Sequence, residues 1–372
     1  MIYFDNSATT YKKPFRVKIA TLRGLKAANP GRSGHRLSLK AAKGIFKARL
    51  KLQAFFNVPK QEDIVFTHNC TEALNMAILG LNKKGNVIIS PFEHNSVLRP
   101  LRKLEKDGKI TISVIKPNKD NIITKDSVEA IIQDNTYLVC VSYINNTLGN
   151  KNEIQKIGKL CKEKNIYFLC DCAQASGHID IDMQRDNINL LAFAGHKGFF
   201  APQSIGGLCV NGVSLLPIKF GGTGTSSESL DMPEQMPEKL ESGTLPCPQI
   251  FGLSAGIDYV ISHFEKNNKK TTTLTKYLLD KLTSIGATIY TNINSRYGVV
   301  LFNLRDFDSV ELATILDEKY NIMVRGGLHC AGMAHKYLGT IKTGAVRVSL
   351  NHYNTKRQID KFTKALKQIL NT

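Results

Sequence analysis

A series of short apolar runs between residues 86 and 210 constrains this chain more than any other feature. NVIIS (86–90), ITISVI (110–115), TYLVCVSYI (136–144), IYFLCD (166–171), LLAFAG (190–195) and IGGLCV (205–210) are strand-like in length and composition. Between several of them lie segments with helical apolar spacing, such as TEALNMAILGLN (71–82) and EIQKIGKLCKEKN (153–165). Strands that alternate with helices predict an α/β fold, a mainly parallel sheet with helices on both faces. In such sheets ligands sit beyond the carboxyl ends of the strands, so the residues that follow strands are the candidates for chemistry.

A Gly/Ser/Thr-rich stretch runs from GGTGTSSES (221–229) to ESGTLPCP (241–248). After it the pattern becomes helix, helix, strands, helix, with YGVVLFNLR (297–305) and AVRVSL (345–350) as strands. This predicts a large domain ending near 250 and a smaller α+β domain over 251–372. A chain of 372 residues is long enough for both. No basic start followed by an apolar segment and no apolar run of roughly 20 residues is visible, so the expected location is the cytoplasm, away from membranes. The net charge of +19 raises the possibility of a nucleic-acid surface. No basic block or basic stripe interleaved with aromatics supports it, and a lysine-rich solvated surface is the preferred reading.

Four strand ends carry groups with chemical potential. LLAFAG runs into HKG, placing Lys197 at the mouth of a buried strand, where a desolvated amine can form a Schiff base with a carbonyl cofactor. IYFLC ends in DCAQ, placing Asp171 where its carboxylate could keep a pyridine nitrogen protonated, with Gln174 three residues on. FTHNCTEALN takes a strand into a helix opening near Thr71, a possible phosphate site, although capping alone would explain that threonine. His94 follows NVIIS and could stack on a ring or move protons. Each group has a bland structural explanation. Together they supply an amine, a carboxylate, an aromatic cap and a phosphate cradle, the set that pyridoxal phosphate needs.

Of eight cysteines, most lie in apolar runs; Cys170 and Cys172, two apart on a strand, share a face and read as core. Cys330 is different. It sits in RGGLHCAGMAH (325–335), a glycine-softened polar turn, where Gly326 and Gly327 permit unusual backbone angles. A zinc site from His329, Cys330 and His335 is one reading of this turn, and a reactive thiol is the other.

The motifs YFDNSATT, NPGRSGHRLS, FTHNCTEALN, EHNS, DCAQ, GHKG, GGTGTSSES, ESGT, RGGLHCA and VRVSLNHYNT occur together and in order. In these the chain resembles the class V aminotransferase-like cysteine desulfurases, including the group with selenocysteine lyases. The resemblance implies a fold type I pyridoxal-phosphate-dependent transferase with a seven-stranded-type sheet and a smaller C-terminal domain. It also implies an N-terminal segment, residues 1–14, packed against the small domain and the active site. Lys197 would hold the cofactor and move protons, Asp171 would pair with the pyridine nitrogen, Gln174 would meet the phenolic oxygen, and His94 would stack on the ring. Thr71 and His196 would hold the phosphate, Cys70 would border the cofactor, and Thr223 would reach a neighbouring subunit's phosphate in a homodimer. Arg347 and Asn146, with Asn6 and Ala8, would receive the substrate. Cys330 would take sulfur from L-cysteine as a persulfide, leaving alanine, for delivery to a dedicated acceptor protein; His329 or His335 would tune it. Selenocysteine lyase, aminotransferase and kynureninase-like activities share the scaffold. Departures from the family's pattern stand at Ala194, Ala201, Ser204, Pro246, Gln249 and Gly332, none of them a reacting group.

Overall fold

The computed structural model describes residues 1–30, 34–225 and 227–371. Gly31, Arg32 and Ser33 of NPGRSGHRLS and Ser226 of GGTGTSSES lie outside the described residues. In chain order the strands are β1 (Ile2–Tyr3), β2 (Ile64–Thr67), β3 (Gly85–Ile89), β4 (Ile110–Val114), β5 (Thr136–Ser142), β6 (Tyr167–Asp171), β7 (Leu190–Ala194), β8 (Gly206–Val210), β9 (Thr288–Ile289), β10 (Val299–Asn303), β11 (Ile322–Met323) and β12 (Val346–Ser349). The helices are α1 (Phe15–Gly24), α2 (Arg36–Phe56), α3 (Cys70–Gly80), α4 (Asn95–Lys106), α5 (Lys125–Glu129), α6 (Ile154–Glu163), α7 (Cys247–Thr283), α8 (Ser309–Tyr320), α9 (Gly332–Tyr337) and α10 (Lys356–Leu370).

β2 to β8 form one seven-stranded sheet in the order β2-β8-β7-β6-β5-β3-β4. β3 pairs in parallel with β4 and β5, β5 with β6, and β6 with β7. The exception is β8, which runs antiparallel to both β7 and β2. Successive residues feed opposite faces, as the strand period of two requires. Val87, Ile89, Leu138, Cys140 and Leu169 pack with α3 in one core. Ile88, Val139, Val141, Phe168 and Cys170 pack with α2 and α6 in the other. Cys172 shares the face of Cys170, their sulfurs 3.6 Å apart in the packed interior.

β10 lies between β12 and β9 in a three-stranded antiparallel sheet, and β1 pairs in parallel with β11. A third core joins Phe4, Val300, Phe302, Val348 and Phe362. The two helices expected after residue 250 are one, the 37-residue α7. Its early residues Ile250, Leu253 and Ile257 belong to a core under the large sheet, and its later ones Leu274, Leu278 and Leu282 belong to the third core. The polar run between them is continuous helix, and its Thr271 and Thr275 are buried with their hydroxyls satisfied by the carbonyls of Asn267 and Thr271, at 2.9 and 2.7 Å. Among the described residues no helix is long and apolar enough to cross a membrane.

One family departure is visible in the backbone. Ser204 is exposed and holds φ 63, in the left-handed region that glycine occupies freely. Ser204→Gly should relieve that strain and lose part of the gain to the unfolded chain's entropy, a net stabilisation of roughly 0.5 kcal/mol. A urea unfolding midpoint that rises modestly is the expected result; a midpoint that falls would refute it.

Candidate active site

A cavity of about 230 Å³ opens at the carboxyl ends of the central strands. Ala8, Cys70, Thr71, His94, Asn146, Asp171, Gln174, His196, Lys197 and Arg347 all line it. These come from separate elements spread along the chain, and the strand ends bring them together.

β6 ends in Asp171, which is 6% exposed. Its Oδ1 accepts the N–H of Ala173 at 2.9 Å and faces the Cys70 thiol at 3.6 Å. β7 leads through Gly195 and His196 to Lys197, whose amine burial pulls below the usual lysine range, with the nearby Asp171 charge opposing. His196 presents a buried Nδ1 that has no protein partner.

α3 begins one residue earlier than expected. Its cap is Asn69, whose Oδ1 accepts the N–H of Glu72 at 2.9 Å. Thr71 is therefore free of capping, and its hydroxyl meets that of Ser96 at 2.8 Å. His94 caps α4, its Nδ1 accepting the N–H of Ser96 at 3.1 Å. Burial pushes the His94 imidazole down to about 4, so the ring is neutral at pH 7 and carries its hydrogen on Nε2.

The opposite wall is held from the other end of the chain. Arg347, on β12, is 1% exposed; its Nη1 donates to the Asn146 carbonyl at 3.0 Å and its Nη2 to Asp5 Oδ1 at 2.8 Å. Its Nε is buried without a partner. The N-terminal segment ties both walls together. Ser7 donates its N–H to Ser349 Oγ at 2.9 Å, and Gln174 Nε2 donates to the Ser7 carbonyl at 3.2 Å. The carbonyl of His196, next to Lys197, faces the Thr10 N–H at 3.2 Å, the Thr9 and Thr10 hydroxyls at 3.4 and 3.0 Å, and Lys13 Nζ at 3.0 Å.

Three candidates lie off the cavity wall. Asn6 turns its amide to the Ser349 carbonyl and Asn354, at 2.9 and 3.3 Å. Thr223 sits in the outer loop with its hydroxyl toward Thr225. Cys330 is exposed, whereas the other seven cysteines are buried. Its sulfur is 3.6 Å from Arg325 Nη2, and Arg325 and His329 both line the cavity. The group beside the thiol is thus Arg325, not a histidine. His329 is turned inward, its Nε2 on the Ala345 carbonyl at 2.9 Å. Gly327 holds φ 98, and a Cβ on Gly326 would lie 2.2 Å from the Ser309 carbonyl oxygen, so both glycines of RGG are required by the backbone. Among the described residues no three His, Cys, Asp or Glu side chains are grouped to hold a metal. Sequence patterns gave no signal for Arg325 or Asp5, because each meets its partner through pairings that only the folded chain creates: Arg325 through its antiparallel bridge to Arg347, Asp5 through its parallel bridge to Ser349.

The histidines set the pH response of the fold. Of nine, burial pushes His94, His178, His196 and His335 to about 4, His352 to about 3 and His329 to about 2. Their folded values lie below the ordinary 6.5, so the unfolded chain takes up protons first as pH falls. Their contribution is complete above pH 6.5 and is lost as pH drops toward 4. Glu93, which burial raises to about 8, and Glu241 and Asp63, which burial also raises, act oppositely, but they are three groups against six. Denaturant midpoints should therefore fall steeply between pH 6.5 and 4.5; midpoints that stay level across that window would contradict the neutral histidines.

The aminotransferase class-V family model matches residues 2–362. A probable cysteine desulfurase of Methanothermobacter thermautotrophicus is 34% identical, the match covering 99% of this chain and 94% of that protein. The cysteine desulfurase IscS of Rickettsia rickettsii is 33% identical, over 96% and 88% of the two chains. Among solved structures, the apo cysteine desulfurase of Thermococcus onnurineus superposes with a TM-score of 0.92 at 31% identity, covering 100% of this chain and 94% of that one. The cysteine desulfurase CsdA of Escherichia coli gives 0.89 at 25% identity, over 99% and 94%. The match runs the length of the chain and includes each strand end that builds the cavity, so the chain belongs to the class-V aminotransferase family, among relatives that are cysteine desulfurases.

Proposed function

We propose that the protein is a pyridoxal-phosphate-dependent cysteine desulfurase that converts L-cysteine to L-alanine and carries the sulfur as a persulfide on Cys330. The observation that carries this reading is the pairing of an exposed thiol with Arg325, a residue that also lines the cavity holding Lys197. Aminotransferase and kynureninase-like reactions need the lysine and the aspartate and have no use for such a thiol.

Class V aminotransferases and cysteine desulfurases work with pyridoxal phosphate, and the donors here fit it. A buried amine (Lys197), a carboxylate at a strand end (Asp171), a neutral imidazole (His94) and the N-terminus of the 11-residue α3 converge on one cavity, with His196 Nδ1 unpartnered beside them. Lys197 would hold the aldehyde, Asp171 the pyridine nitrogen, Gln174 the phenolic oxygen, and Thr71, Cys70 and His196 the phosphate end. The bound cofactor supplies a sink for the electron pair left on the substrate's carbon.

The chain's own groups account for the rest. Arg347, fixed by Asp5 and Asn146, offers a guanidinium to the substrate's carboxylate, beside Ala8. The Cys330 thiolate attacks the substrate sulfur; the new S–S bond forms as the substrate's C–S bond breaks. Lys197 then delivers a proton to the carbon, giving alanine. The exposure of Cys330 suits transfer of its outer sulfur to an acceptor protein. Leu39, Phe46 and Leu50 are exposed along one side of α2, which supports a homodimer, with Thr223 reaching toward the partner's site. The division into 1–14, 15–250 and 251–372 is supported by cavity-lining residues from each, such as Ala8, Lys197 and Arg347.

The test is incubation of the cofactor-loaded protein with L-cysteine and a thiol reductant. Alanine and sulfide in equal amounts are expected, and the absence of alanine would overturn the reading. The same assay with L-selenocysteine separates the selenocysteine lyase alternative by its kcat/KM.

A further inference from the structure

Cys330 is held in an unusual backbone. Both it and His329 occupy the left-handed region, with φ 56 and 51, although neither is glycine. Side-chain-bearing residues keep such angles only where their surroundings hold them. Part of the hold is visible in the main chain. Asn146 Nδ2 donates to the His329 carbonyl at 3.0 Å, and the Asn95 N–H donates to the Cys330 carbonyl at 2.8 Å.

The rest depends on two imidazoles. His329 is 2% exposed, and its Nε2 faces the Ala345 carbonyl at 2.9 Å. A carbonyl only accepts, so Nε2 carries the hydrogen and Nδ1 of the neutral ring is a bare lone pair. That Nδ1 is buried and has no protein partner. His335, on α9, is 0% exposed; its Nδ1 meets the Thr340 hydroxyl at 2.8 Å, closer than the 3.5 Å from that hydroxyl to the His335 carbonyl, and its Nε2 is likewise buried without a partner. The two rings are neighbours, with centroids 5.5 Å apart and planes tilted by 40°. Buried polar atoms are seldom left unsatisfied, and here one ring carries an unpaired acceptor and its neighbour an unpaired nitrogen that can be a donor.

We propose that His335 is a positioning residue for Cys330, acting through His329. The Thr340 hydroxyl donates to His335 Nδ1, His335 Nε2–H reaches His329 Nδ1 through one bridging water, and His329 Nε2–H donates to Ala345. This chain has one consistent proton direction from end to end. It fixes the His329 ring, and with it the strained peptide that presents the thiol to the cavity. The activity arm of its test rests on the desulfurase reading; the exchange arm does not.

Three variants carry the test. His335→Phe keeps a ring and removes both nitrogens, His335→Gln restores a donor, and Thr340→Val removes the hydroxyl that sets the tautomer. Alanine release should show a kcat at least tenfold lower in His335→Phe with KM within twofold of wild type, and recovery to within threefold of wild type in His335→Gln. Amide exchange of the Leu328–Ala331 peptide, followed by mass spectrometry, should be at least tenfold faster in His335→Phe and near wild type in His335→Gln. If His335→Phe does not fold, Thr340→Val takes its place, with kcat at least threefold lower, KM unchanged and faster exchange in the same peptide. Glutamine as damaging as phenylalanine, or unchanged kcat and exchange in Phe or Val, would reduce His335 to core packing. Should the wild type release no alanine, the desulfurase reading fails on its own, and the exchange measurements alone decide the positioning role.

Discussion

Cys330→Ala should lower alanine release from L-cysteine by about a thousandfold or more, because no other thiol is placed to replace it. Cys70, Cys140, Cys161, Cys170, Cys172, Cys209 and Cys247 are buried, and burial pushes every one of their thiols above the ordinary range. Even Cys70, which borders the cavity, has its thiol pushed up further by the Asp171 carboxylate. The substitution should leave the fold intact, since Cys330 is exposed and alanine removes only its sulfur; surface changes of this kind stay within about 0.5 kcal/mol. The check is threefold: alanine yield, the mass of the Cys330 peptide with and without one added sulfur, and the unfolding midpoint. Retained alanine release would exclude Cys330 as the nucleophile.

Lys197→Ala should remove turnover to a similar degree, on the order of a thousandfold or more, for a different reason. Lys197 is the amine of the cavity, and burial lowers its proton affinity, which makes the neutral nucleophilic form accessible. Borohydride treatment of the loaded wild type followed by peptide mapping should place the cofactor on the peptide containing Lys197, and the variant should carry none. Stability should move the other way. A lysine whose folded value is depressed makes the protein less stable below its ordinary value near 10.5, so losing it should raise the unfolding midpoint at pH 7. A cofactor that remains covalently attached in the variant would refute the assignment.

The central strands were legible because each is a short, nearly continuous apolar run that a sheet buried on both faces demands. The reversed direction of β8 was not, since its residues are all buried and would look alike in either orientation. α7 was read as two helices because its middle is polar; the fold overrides that propensity by placing Thr271 and Thr275 against the small sheet with their hydroxyls satisfied inside the helix. Lys197 and Asp171 could be found from their places after strands. Arg325 could not, because its approach to Cys330 depends on the left-handed backbone of His329 and Cys330, which residue spacing does not reveal. The histidines near Cys330 were read as tuning groups, but His329, in the left-handed turn, points inward to the Ala345 carbonyl, and His335 is buried on α9.

The clasp that the first residues make on the cavity has a consequence for biosynthesis. Asp5 and Ser7 leave the ribosome long before their partners Arg347 and Ser349, which follow 342 positions later in each case. The large sheet, complete by Val210, is free to assemble while translation continues. Its catalytic pocket is not. A nascent chain can shelter Lys197 and Asp171 within ordered strands and still lack a wall, so the emerging polypeptide stays chemically silent toward cysteine until Arg347 and Ser349 have been made.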